Sequence, residues 1–459
     1  MTALHTASSL PRTAVEHPLD LTDHTRFVDH PRVRQIRDDA LCIGVIGLGY
    51  VGLPLAVTAA ERGVAVIGFD VDTAKVARLR DGRSHVEDVS DRALTRSLEA
   101  GAELTDDEAR LADADALIIA VPSPLGRNRQ PDTSYIEAAA ATIARVAQPG
   151  QLVSLESTTY PGTTEDHLVP AVEAAGLTLD ENVYVAYSPE RVDPGNPLGT
   201  GVIPKVVGGV TPVSGAVAAA VYGRLVTAVH TVTSARAAEL TKLLENTYRT
   251  VNIAMVNELT QVADAFDIDI WEVIDAAATK PFGFQPFYPG PGVGGHCIPL
   301  DPQYLAWRAR ELRVTTRFID LAEDVNVHMP DYVVGRIAGL LNEQGLALRG
   351  ARVLGVGAAY KRNVGDDRES PAIDVLRLLA ARGVEVTVHD PHVAQERLAR
   401  HGFAVADDLT ETGTVDLAVV LTDHDAIDYH HLAVSTGAVF DTRGVYRRLG
   451  VALPQVHTL

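Results

Sequence analysis

Cysteine, basic side chains and long apolar runs are all scarce in this sequence, and each shortage excludes a class of protein. Only two of the 459 residues are cysteine, Cys42 and Cys297, so a disulfide framework is excluded and a reducing, cytoplasmic location is expected. The 40 Lys and Arg residues are outnumbered by 60 Asp and Glu residues, which gives a formal net charge of −20. Nucleic acid and anionic membrane surfaces require a basic face, and no apolar run approaches the roughly 20 residues of a membrane span. We therefore expect neither nucleic acid nor a membrane as a partner.

The remaining composition is that of a folded chain with several domains. Hydrophobic residues make up 46% and charged residues 22% of the sequence, which is close to ordinary globular usage. At roughly 150 residues per domain, the length suggests about three domains. Residues 1–38 are polar without a clear period and are predicted to form a tail or a short surface helix. Beyond them we predict a nucleotide-binding domain over 39–225, a helical domain over 226–335 and a further domain over 336–459.

Two parts of the chain show the pattern of buried parallel strands. Short continuous apolar runs recur from residue 41 to 189 and again from 351 to 444, with helical stretches between them. Runs without alternation are typical of strands buried on both faces, and the helices would serve as right-handed crossovers. The fold class is therefore α/β, with two Rossmann-like, doubly wound parallel-sheet domains. Gly355 and Gly357 repeat the positions of Gly47 and Gly49, but a third glycine is missing, so the second unit should bind something other than a complete dinucleotide.

A long helix is predicted between these two units. From residue 234 more than thirty residues pass without Gly or Pro, and Ser234 is suited to cap the helix. A helix of this length usually joins domains or builds a dimer interface, and the residues alone leave both open. Its apolar residues recur at near-helical spacing, and they are Leu240, Leu243, Leu244, Val251, Met255, Leu259, Val262 and Phe266.

A glycine fingerprint marks the first strand-to-helix turn. The segment consists of Gly47, Leu48, Gly49, Tyr50, Val51 and Gly52. Its glycines permit a tight turn, close approach of a pyrophosphate and close helix packing, with the phosphates at the helix N-terminus. Asp70 closes the next strand, where an acidic residue holds ribose hydroxyls and repels a 2′-phosphate. The sequence therefore predicts NAD, and not NADP, as the cofactor.

Cys297 lies in the glycine-rich segment GVGGHCIPLDP. An isolated cysteine is often a small buried hydrophobic residue, which is our interpretation of Cys42. In an NAD enzyme a loop thiol has a specific use, because it can capture an aldehyde as a thiohemiacetal whose oxidation gives a thioester. We therefore predict that Cys297 is a nucleophile.

Other polar residues admit two interpretations. Lys242 and Asn246 share one helix face by their i, i+4 spacing, either as catalytic groups or as solvated side chains. Glu190 and Thr158 follow predicted strand ends, where α/β sheets gather their sites but where helix capping also occurs. The cluster over 422–431 has Asp and His at no recognised metal-ligand spacing, so no metal site is predicted.

Seven motifs, in order from about residue 41 to 448, resemble the UDP-glucose/GDP-mannose dehydrogenase family. They read GVIGLGYVGLPLA, ESTTYPGTT, YSPERVDPGN, KLLENTYRTVNIAMVNEL, PGPGVGGHCIPLDP, YKRNVGDDRESPA and DTRGVYR. The residues of several of these motifs resemble the branch of the family that oxidises UDP-N-acetylhexosamines, above all UDP-N-acetylglucosamine. The resemblance implies a four-electron oxidation of the sugar C6 hydroxymethyl to a carboxylate with two NAD, of the kind used in polysaccharide biosynthesis. It also implies a homodimer through the central helix.

The resemblance also assigns roles to individual positions. It makes Cys297 the thiol nucleophile, Lys242 and Asn246 the groups that polarise the reacting oxygen, and Asp301 the carboxylate that assists proton transfer. Thr158 and Glu190 would position the hydrolytic water. For NAD it implies Gly47 to Gly52, Asp70, Lys75, Ser123, Thr158 and Arg368. For the nucleotide sugar it implies Glu190, Arg191, Val192, Asp193, Lys242, Asn246, Tyr288, Gly290, Gly292, Gly294, Tyr360, Lys361 and Arg443.

The choice of sugar stays open at this stage. Residues 279–284 lack the arginine that UDP-glucose-type members place nearby, and Lys280 is the nearest cation. UDP-N-acetylmannosamine, UDP-N-acetylgalactosamine and UDP-glucose are the alternatives, since epimers differ by the direction of one hydroxyl. More distant alternatives are a two-electron β-hydroxyacid dehydrogenase and a non-catalytic nucleotide-sugar sensor.

Overall fold

The computed structural model describes residues 27–126, 130–192, 199–295, 297–409 and 415–459. Within these ranges the chain forms two open sheets with helices on both faces, and a group of helices between them, as predicted. None of the helices within these ranges combines the length and apolarity that a membrane crossing needs.

The first sheet has eight strands in the order β3-β2-β1-β4-β5-β6-β7-β8. Neighbouring strands are parallel except β6 and β7, which are antiparallel. The predicted apolar runs form β1, β2, β4, β5 and β6, whereas the short edge strand β3 and the last two strands, β7 and β8, were not predicted. The strands are β1 Cys42–Ile46, β2 Ala65–Phe69, β3 Glu103–Thr105, β4 Ala116–Ile119, β5 Leu152–Leu155, β6 Tyr184–Tyr187, β7 Lys205–Gly209 and β8 Val229–Val232.

Seven α-helices cover this sheet and bury a hydrophobic core on each face. They are α1 Pro31–Asp38, α2 Gly52–Glu61, α3 Thr73–Arg80, α4 Asp91–Glu99, α5 Ser134–Val146, α6 Val169–Ala174 and α7 Pro212–Leu225, with a 3₁₀ turn at Glu108–Asp113 and a π turn at Thr164–Leu168. Helix α1 lies at the end of the predicted tail and buries Val33 and Ile36. Cys42 is half-buried at the start of β1, and burial raises the pKa of its thiol to about 11.

The central helices are α8 Ala235–Ala265, α9 Ile270–Ala278, α10 Asp301–Glu311 and α11 Arg317–Glu343. The predicted cap at Ser234 is confirmed, since its side chain accepts from the N–H of Ala237 at 3.2 Å. Helix α8 packs against α10 and α11, but several apolar side chains of α8 remain exposed, among them Leu244 and Met255. Helix α11 continues past residue 335, at which we had predicted a domain boundary.

The second sheet has six parallel strands in the order β11-β10-β9-β12-β13-β14. Its strands are β9 Arg352–Val356, β10 Glu385–His389, β11 Ala404–Val405, β12 Leu417–Val420, β13 Val439–Asp441 and β14 Val456–Thr458, and its helices are α12 Pro371–Ala381, α13 Gln395–Arg400, α14 Tyr429–Ser435 and α15 Val445–Arg448. The order repeats that of the first six strands of sheet one, which confirms a second Rossmann-like unit.

One buried carboxylate joins α8 to the first domain. Glu239, the fifth residue of α8, is fully buried. It accepts from Gly162 N at 2.6 Å, Thr164 N at 2.9 Å and the Thr164 hydroxyl at 2.7 Å. Burial raises the pKa of Glu239 to about 7, although these donors oppose the rise. The ionised form is therefore less favourable in the folded chain than in the unfolded chain.

We predict that the stability contributed by Glu239 falls as the pH rises. The folded-state pKa of about 7 lies above the ordinary 4.5, so this stability is present below about pH 4.5 and is lost by about pH 7. Glu239→Gln cannot titrate, so the free energy of unfolding of wild type relative to the variant should fall between pH 4.5 and 8, by up to roughly 3 kcal/mol. Urea titrations at several pH values measure it. Glu173→Gln, at an exposed position, is the control, and a difference that is flat or rises with pH contradicts the prediction.

Candidate functional site

The glycine fingerprint forms a tight turn between β1 and α2. Gly47 has φ +95°, and its N–H donates to the carbonyl of Phe69 at 2.8 Å. A Cβ on Gly52 would lie 1.8 Å from the carbonyl oxygen of Gly47, so only glycine lets α2 begin so close to the turn. A Cβ on Gly49 would meet no described heavy atom within 4 Å. The turn therefore leaves space at Gly49 for a diphosphate at the start of α2.

Asp70 lies beside this turn, at the end of β2. Its Oδ2 accepts from Leu48 N at 2.9 Å and from Lys75 Nζ at 2.7 Å, and its Oδ1 accepts from Asp72 N at 3.0 Å. Burial alone would raise the pKa of Asp70, but Lys75 and the two N–H groups outweigh it and hold that pKa below its ordinary value. An ionised carboxylate thus stands where ribose hydroxyls would be bound.

The C-terminal part of the chain reaches the same turn. The guanidinium of Arg368 lies 5.5 Å from the centre of the exposed Tyr50 ring, within cation–π range, and pairs with Asp366 at 2.8 Å. Ser123, after β4, is fixed through its carbonyl, which accepts from the buried hydroxyl of Tyr304. The structure therefore gathers the predicted cofactor residues from both ends of the chain.

One face of α8 carries buried polar side chains toward the cysteine turn. Lys242, Asn246 and Thr250 are all buried. Asn246 Nδ2 donates to Asp301 Oδ2, and Thr250 Oγ1 donates to the carbonyl of Ile298 at 2.8 Å. Cys297 is exposed, and its carbonyl accepts from Asp301 N at 2.9 Å. The predicted groups Lys242, Asn246, Cys297 and Asp301 thus meet where α8 faces the start of α10.

Asp301 is the carboxyl of this group that can exchange a proton near neutral pH. Burial raises the pKa of Asp301 to about 6, while Lys242 and the hydrogen bond from Asn246 oppose the rise. A carboxyl with a pKa near the working pH is suited to general acid–base chemistry.

Glu190 and Thr158 follow neighbouring strands, β6 and β5. Glu190 Oε1 accepts from Arg191 N at 2.7 Å and Val192 N at 2.8 Å, and Oε2 accepts from Lys205 Nζ at 3.0 Å. The side chain of Arg191 pairs instead with Glu245, and its Nη2 lies 2.6 Å from Glu245 Oε1. Thr158 is half-buried at the same edge of the sheet, and Asp193 lies outside the described residues.

The glycine-rich loop is pressed between α8 and the second α/β unit. Gly290 N donates to Asn257 Oδ1 on α8 at 3.1 Å, and Gly295 N donates to the carbonyl of Glu369 at 3.3 Å. Gly295 has φ +88°, and a Cβ there would lie 2.8 Å from the ring of Tyr360. A Cβ would also come within 3 Å of its neighbours at the other predicted loop glycines, Gly290, Gly292 and Gly294. The loop therefore packs Gly294 and Gly295, which shortly precede Cys297, against Tyr360.

A cavity of about 300 Å³ opens beside this loop, between α9 and α15. The ring of Tyr288 stacks on Trp271 at 5.4 Å. The guanidinium of Arg443 lies 3.4 Å from Asp423, and Arg447 and Arg448 complete the lining. Aromatic faces beside guanidinium groups suit a base and its phosphates.

The second Rossmann turn differs from the first. Asp390 Oδ2 accepts from Ala358 N at 2.6 Å, Ala359 N at 3.0 Å and His424 Nε2 at 3.0 Å. These contacts occupy the N–H groups that a diphosphate would need. In the 422–431 segment Asp423 pairs with Arg443 and Asp425 with Arg362, while Asp428 accepts from His431 N at 2.9 Å at the start of α14. Among the described residues no group of three His, Cys, Asp or Glu side chains could hold a metal.

Sequence reasoning missed several residues that shape the site. Thr250 extends the i, i+4 series of Lys242 and Asn246, so helical spacing alone could have found it. Lys205 opens an otherwise apolar run, KVVGG, and a cation leading a buried strand is a signal for a buried ion pair. Asn257 and Trp271 gave no comparable signal.

Comparison with known proteins covers nearly the whole chain. The UDP-glucose/GDP-mannose dehydrogenase family matches with its NAD binding domain at residues 41–226, its central domain at 236–328 and its UDP binding domain at 354–448. Protein CapL of Staphylococcus aureus is 37% identical over 88% of this chain and 96% of its own length. A UDP-N-acetyl-D-glucosamine 6-dehydrogenase of Pseudomonas aeruginosa is 36% identical over 86% and 90%. A solved UDP-D-ManNAc dehydrogenase structure from Pyrococcus horikoshii superimposes with a TM-score of 0.82 at 31% identity, covering 91% of this chain and 99% of that one.

These matches agree with the predicted cofactor and substrate class. The NAD binding domain contains the fingerprint turn, and the UDP binding domain contains Tyr360 and the arginines of the cavity at Arg443. NAD is therefore the cofactor, and a nucleotide sugar is the substrate. The chain belongs to the UDP-glucose/GDP-mannose dehydrogenase family and is an NAD-dependent UDP-sugar dehydrogenase.

Proposed function

We propose that this enzyme oxidises the C6 hydroxymethyl of UDP-N-acetylglucosamine to a carboxylate in two NAD-dependent steps. The observation that carries the proposal is the cluster of Cys297, Lys242, Asn246 and Asp301 where α8 meets α10. A thiol is needed only when an aldehyde is oxidised further, which separates this chemistry from that of a two-electron dehydrogenase or a non-catalytic sensor. The choice of N-acetylglucosamine as the sugar rests on the motif sequences and on the similarity to the relative from Pseudomonas aeruginosa.

In this proposal the residues act in sequence. Lys242 and Asn246 stabilise negative charge on the C6 oxygen, while Asp301 assists transfer of its proton. Bound NAD accepts one hydride in each oxidation. The Cys297 thiolate adds to the aldehyde carbon, and oxidation of that adduct leaves a thioester. Water activated at Glu190 and Thr158 then adds to the thioester carbon, the C–S bond breaks and the Cys297 thiolate is regained.

The binding residues follow the same geometry. We assign NAD to Gly47, Leu48, Gly49, Tyr50, Val51, Gly52, Asp70, Lys75, Ser123, Thr158 and Arg368. We assign UDP to the cavity of Tyr288 and Arg443, and the sugar to the side facing Glu190, Lys242 and Asn246. The glycine loop, Tyr360 and Lys361 lie between these two parts, at the position that the diphosphate would occupy. The domain bounds 39–225, 226–335 and 336–459 and the cytoplasmic location stay predictions.

The sugar is the least constrained part of the proposal. The solved structure from Pyrococcus horikoshii is named for UDP-D-ManNAc, and UDP-N-acetylgalactosamine and UDP-glucose are further alternatives. Lys280, the nearest cation to the position of the arginine found in UDP-glucose-type members, lies with its Nζ 5.0 Å from the ring centre of the exposed Phe282.

We expect two NADH per UDP-N-acetylglucosamine consumed, because the alcohol passes through an aldehyde to an acid. NADH absorbance and chromatographic loss of substrate, measured across a panel of the four UDP-sugars, give the ratio and the preferred sugar. A ratio of one with aldehyde accumulating contradicts the four-electron mechanism, and a higher kcat/KM for another sugar corrects the substrate alone.

We predict that Cys297→Ser lowers steady-state NADH formation by at least about 100-fold, because a hydroxyl is a much poorer nucleophile than a thiolate at neutral pH. The variant should stop at an early oxidation or ester stage, detectable by mass spectrometry of the sugar nucleotide. Cys42→Ser is the matched control and should turn over like wild type, since Cys42 lies at the start of β1, at the opposite end of that strand from the fingerprint turn. Turnover of Cys297→Ser equal to that of the control would remove Cys297 from the mechanism.

We further propose a homodimer through α8. Leu244 is 64% exposed, and Met255, Leu259 and Val262 are each between 45% and 49% exposed. Apolar side chains repeated along one long helix favour burial against a second copy.

Light scattering should therefore give twice the chain mass of 49.0 kDa. Leu244→Glu combined with Met255→Glu should shift the mass toward that of a monomer, because burying two carboxylates is costly. Val434→Glu, at an 82% exposed position on α14, controls for added charge. A wild-type monomer, or a dimer that survives the double change, excludes this interface.

A further inference from the structure

The ammonium of Lys205 is buried in the first domain and is surrounded by acceptors. Its side chain is 3% exposed. Nζ lies 2.9 Å from Glu156 Oε2, 3.0 Å from Glu190 Oε2 and 3.3 Å from the carbonyl of Pro189. Three acceptors match the three donors of an ammonium. A charge this deep costs several kcal/mol unless it is paired, so the arrangement depends on both carboxylates.

The topology of the sheet explains why these three residues meet. Glu156 follows β5 and Glu190 follows β6, at the carboxyl edge of the sheet. Strand β7 is antiparallel to β6 with Tyr187 opposite Gly208, and continuing that register sets residue 205 opposite residue 190. A parallel β7 would have put Lys205 at the far edge. The single antiparallel pair thus brings a cation to the proposed water site.

The two carboxylates differ in what else they contact. Glu190 is held on Oε1 by the N–H groups of Arg191 and Val192 as well as on Oε2 by Lys205. Glu156 Oε1 is buried and has no hydrogen-bond partner among the described residues. Burial would raise the pKa of Glu190, but Lys205 and the N–H groups outweigh it and keep that pKa below the ordinary value. Burial keeps the pKa of Glu156 above its ordinary value.

None of the other charged or titratable groups described around this cluster supplies Glu190 with a side-chain cation in place of Lys205. Tyr222, from α7, has its ring centre 5.8 Å from Lys205 Nζ, and its hydroxyl lies 2.9 Å from that of Ser154. The guanidinium of Arg191 is paired with Glu245 on α8 at 2.6 Å. Lys205 is the cation that contacts Glu190 within the described part of the chain.

We propose that Lys205 is a positioning residue for the hydrolytic step, which fixes the orientation of Glu190 and keeps it ionised, with Glu156 as the second anion. This inference rests on the proposed function, in which Glu190 activates water. As the water oxygen adds to the thioester carbon, one water proton passes to Glu190. The C–S bond then breaks, its electron pair returns to the Cys297 sulfur as thiolate, and the carboxylic acid product forms. A carboxylate accepts that proton only if it is ionised beforehand, which is the state that Lys205 maintains.

The test compares wild type with Glu156→Gln and with Lys205→Met/Glu156→Gln. The double variant removes one buried charge of each sign, so it leaves no orphaned ion from this pair, and thermal unfolding confirms that it folds. Steady-state kcat is measured as a function of pH with the UDP-sugar that wild type turns over best. Acid-quenched samples are analysed by mass spectrometry for a sugar nucleotide attached to Cys297.

We expect the acid limb of kcat in the double variant to lie about one pH unit or more above that of Glu156→Gln, which is roughly tenfold in rate on that limb. The adduct on Cys297 should accumulate in the double variant only. Coincident acid limbs in the two variants, or a loss confined to KM, overturn the role of Lys205. If wild type itself yields one NADH per sugar, the proposed four-electron reaction fails and the hydrolytic step with it. If wild type yields two NADH per sugar and the acid limbs of kcat coincide in the two variants, only the role of Lys205 fails.

Discussion

The glycine-rich loop before Cys297 has to be held from two sides at once, and this constraint joins the three parts of the chain. From α8, Asn257 binds the backbone of Gly290 and Thr250 binds the carbonyl of Ile298. From the second α/β unit, the Glu369 carbonyl and the Tyr360 ring pack against Gly295. The turn that carries the thiol is therefore in place only when the central helix and the C-terminal unit are both docked on it. Under the proposed function, this arrangement lets one chain hold NAD on its first domain, UDP on its last and the reacting sugar between them.

The number of hydrogen-bond and ion-pair partners, more than burial, decides the charge state of Asp301 and Glu190. Asp301 is fully buried with one hydrogen bond and a more distant Lys242, and its pKa rises to about 6. Glu190 is also deeply buried, yet two N–H groups and Lys205 hold its pKa below the ordinary value. The chain thus offers one carboxyl, Asp301, that can carry a proton near neutral pH and one, Glu190, that is ionised before it accepts a proton, as distinct acid and base roles require. A chain of net charge −20 can still hold an anionic ligand locally, because Arg443, Arg447 and Arg448 all line the cavity beside the glycine-rich loop.

The sequence predicted those features that depend on local spacing. The fingerprint turn, the cap at Ser234 and the shared face of Lys242 and Asn246 each follow from residues a few positions apart. Lys205 was missed because its place beside Glu190 depends on the antiparallel register of β7, which no local pattern encodes. The connection from β6 to β7 contains no helix among its described residues, and without a crossover helix the strand returns antiparallel. Strands β3, β11 and β14 were missed because each has only two or three residues.

The missing third glycine pointed correctly to a second Rossmann turn that differs from the first, and the contacts show why it differs. In the first domain Asp70 takes one turn N–H, that of Leu48, and the position of Gly49 opens onto free space. In the second, Asp390 takes the N–H groups of both Ala358 and Ala359. Gly357 directly follows β9 with φ +83°, as Gly47 follows β1 with φ +95°, so Gly357 is in the structure the counterpart of Gly47 and not, as predicted from the sequence, of Gly49. The counterpart of Gly49 is Ala359, which carries a Cβ where the first turn has none. A diphosphate can therefore approach the first turn but not the second. The C-terminal unit must therefore bind its nucleotide at another place. The cavity beside Arg443 suits a nucleotide, because stacked rings and guanidinium groups line it.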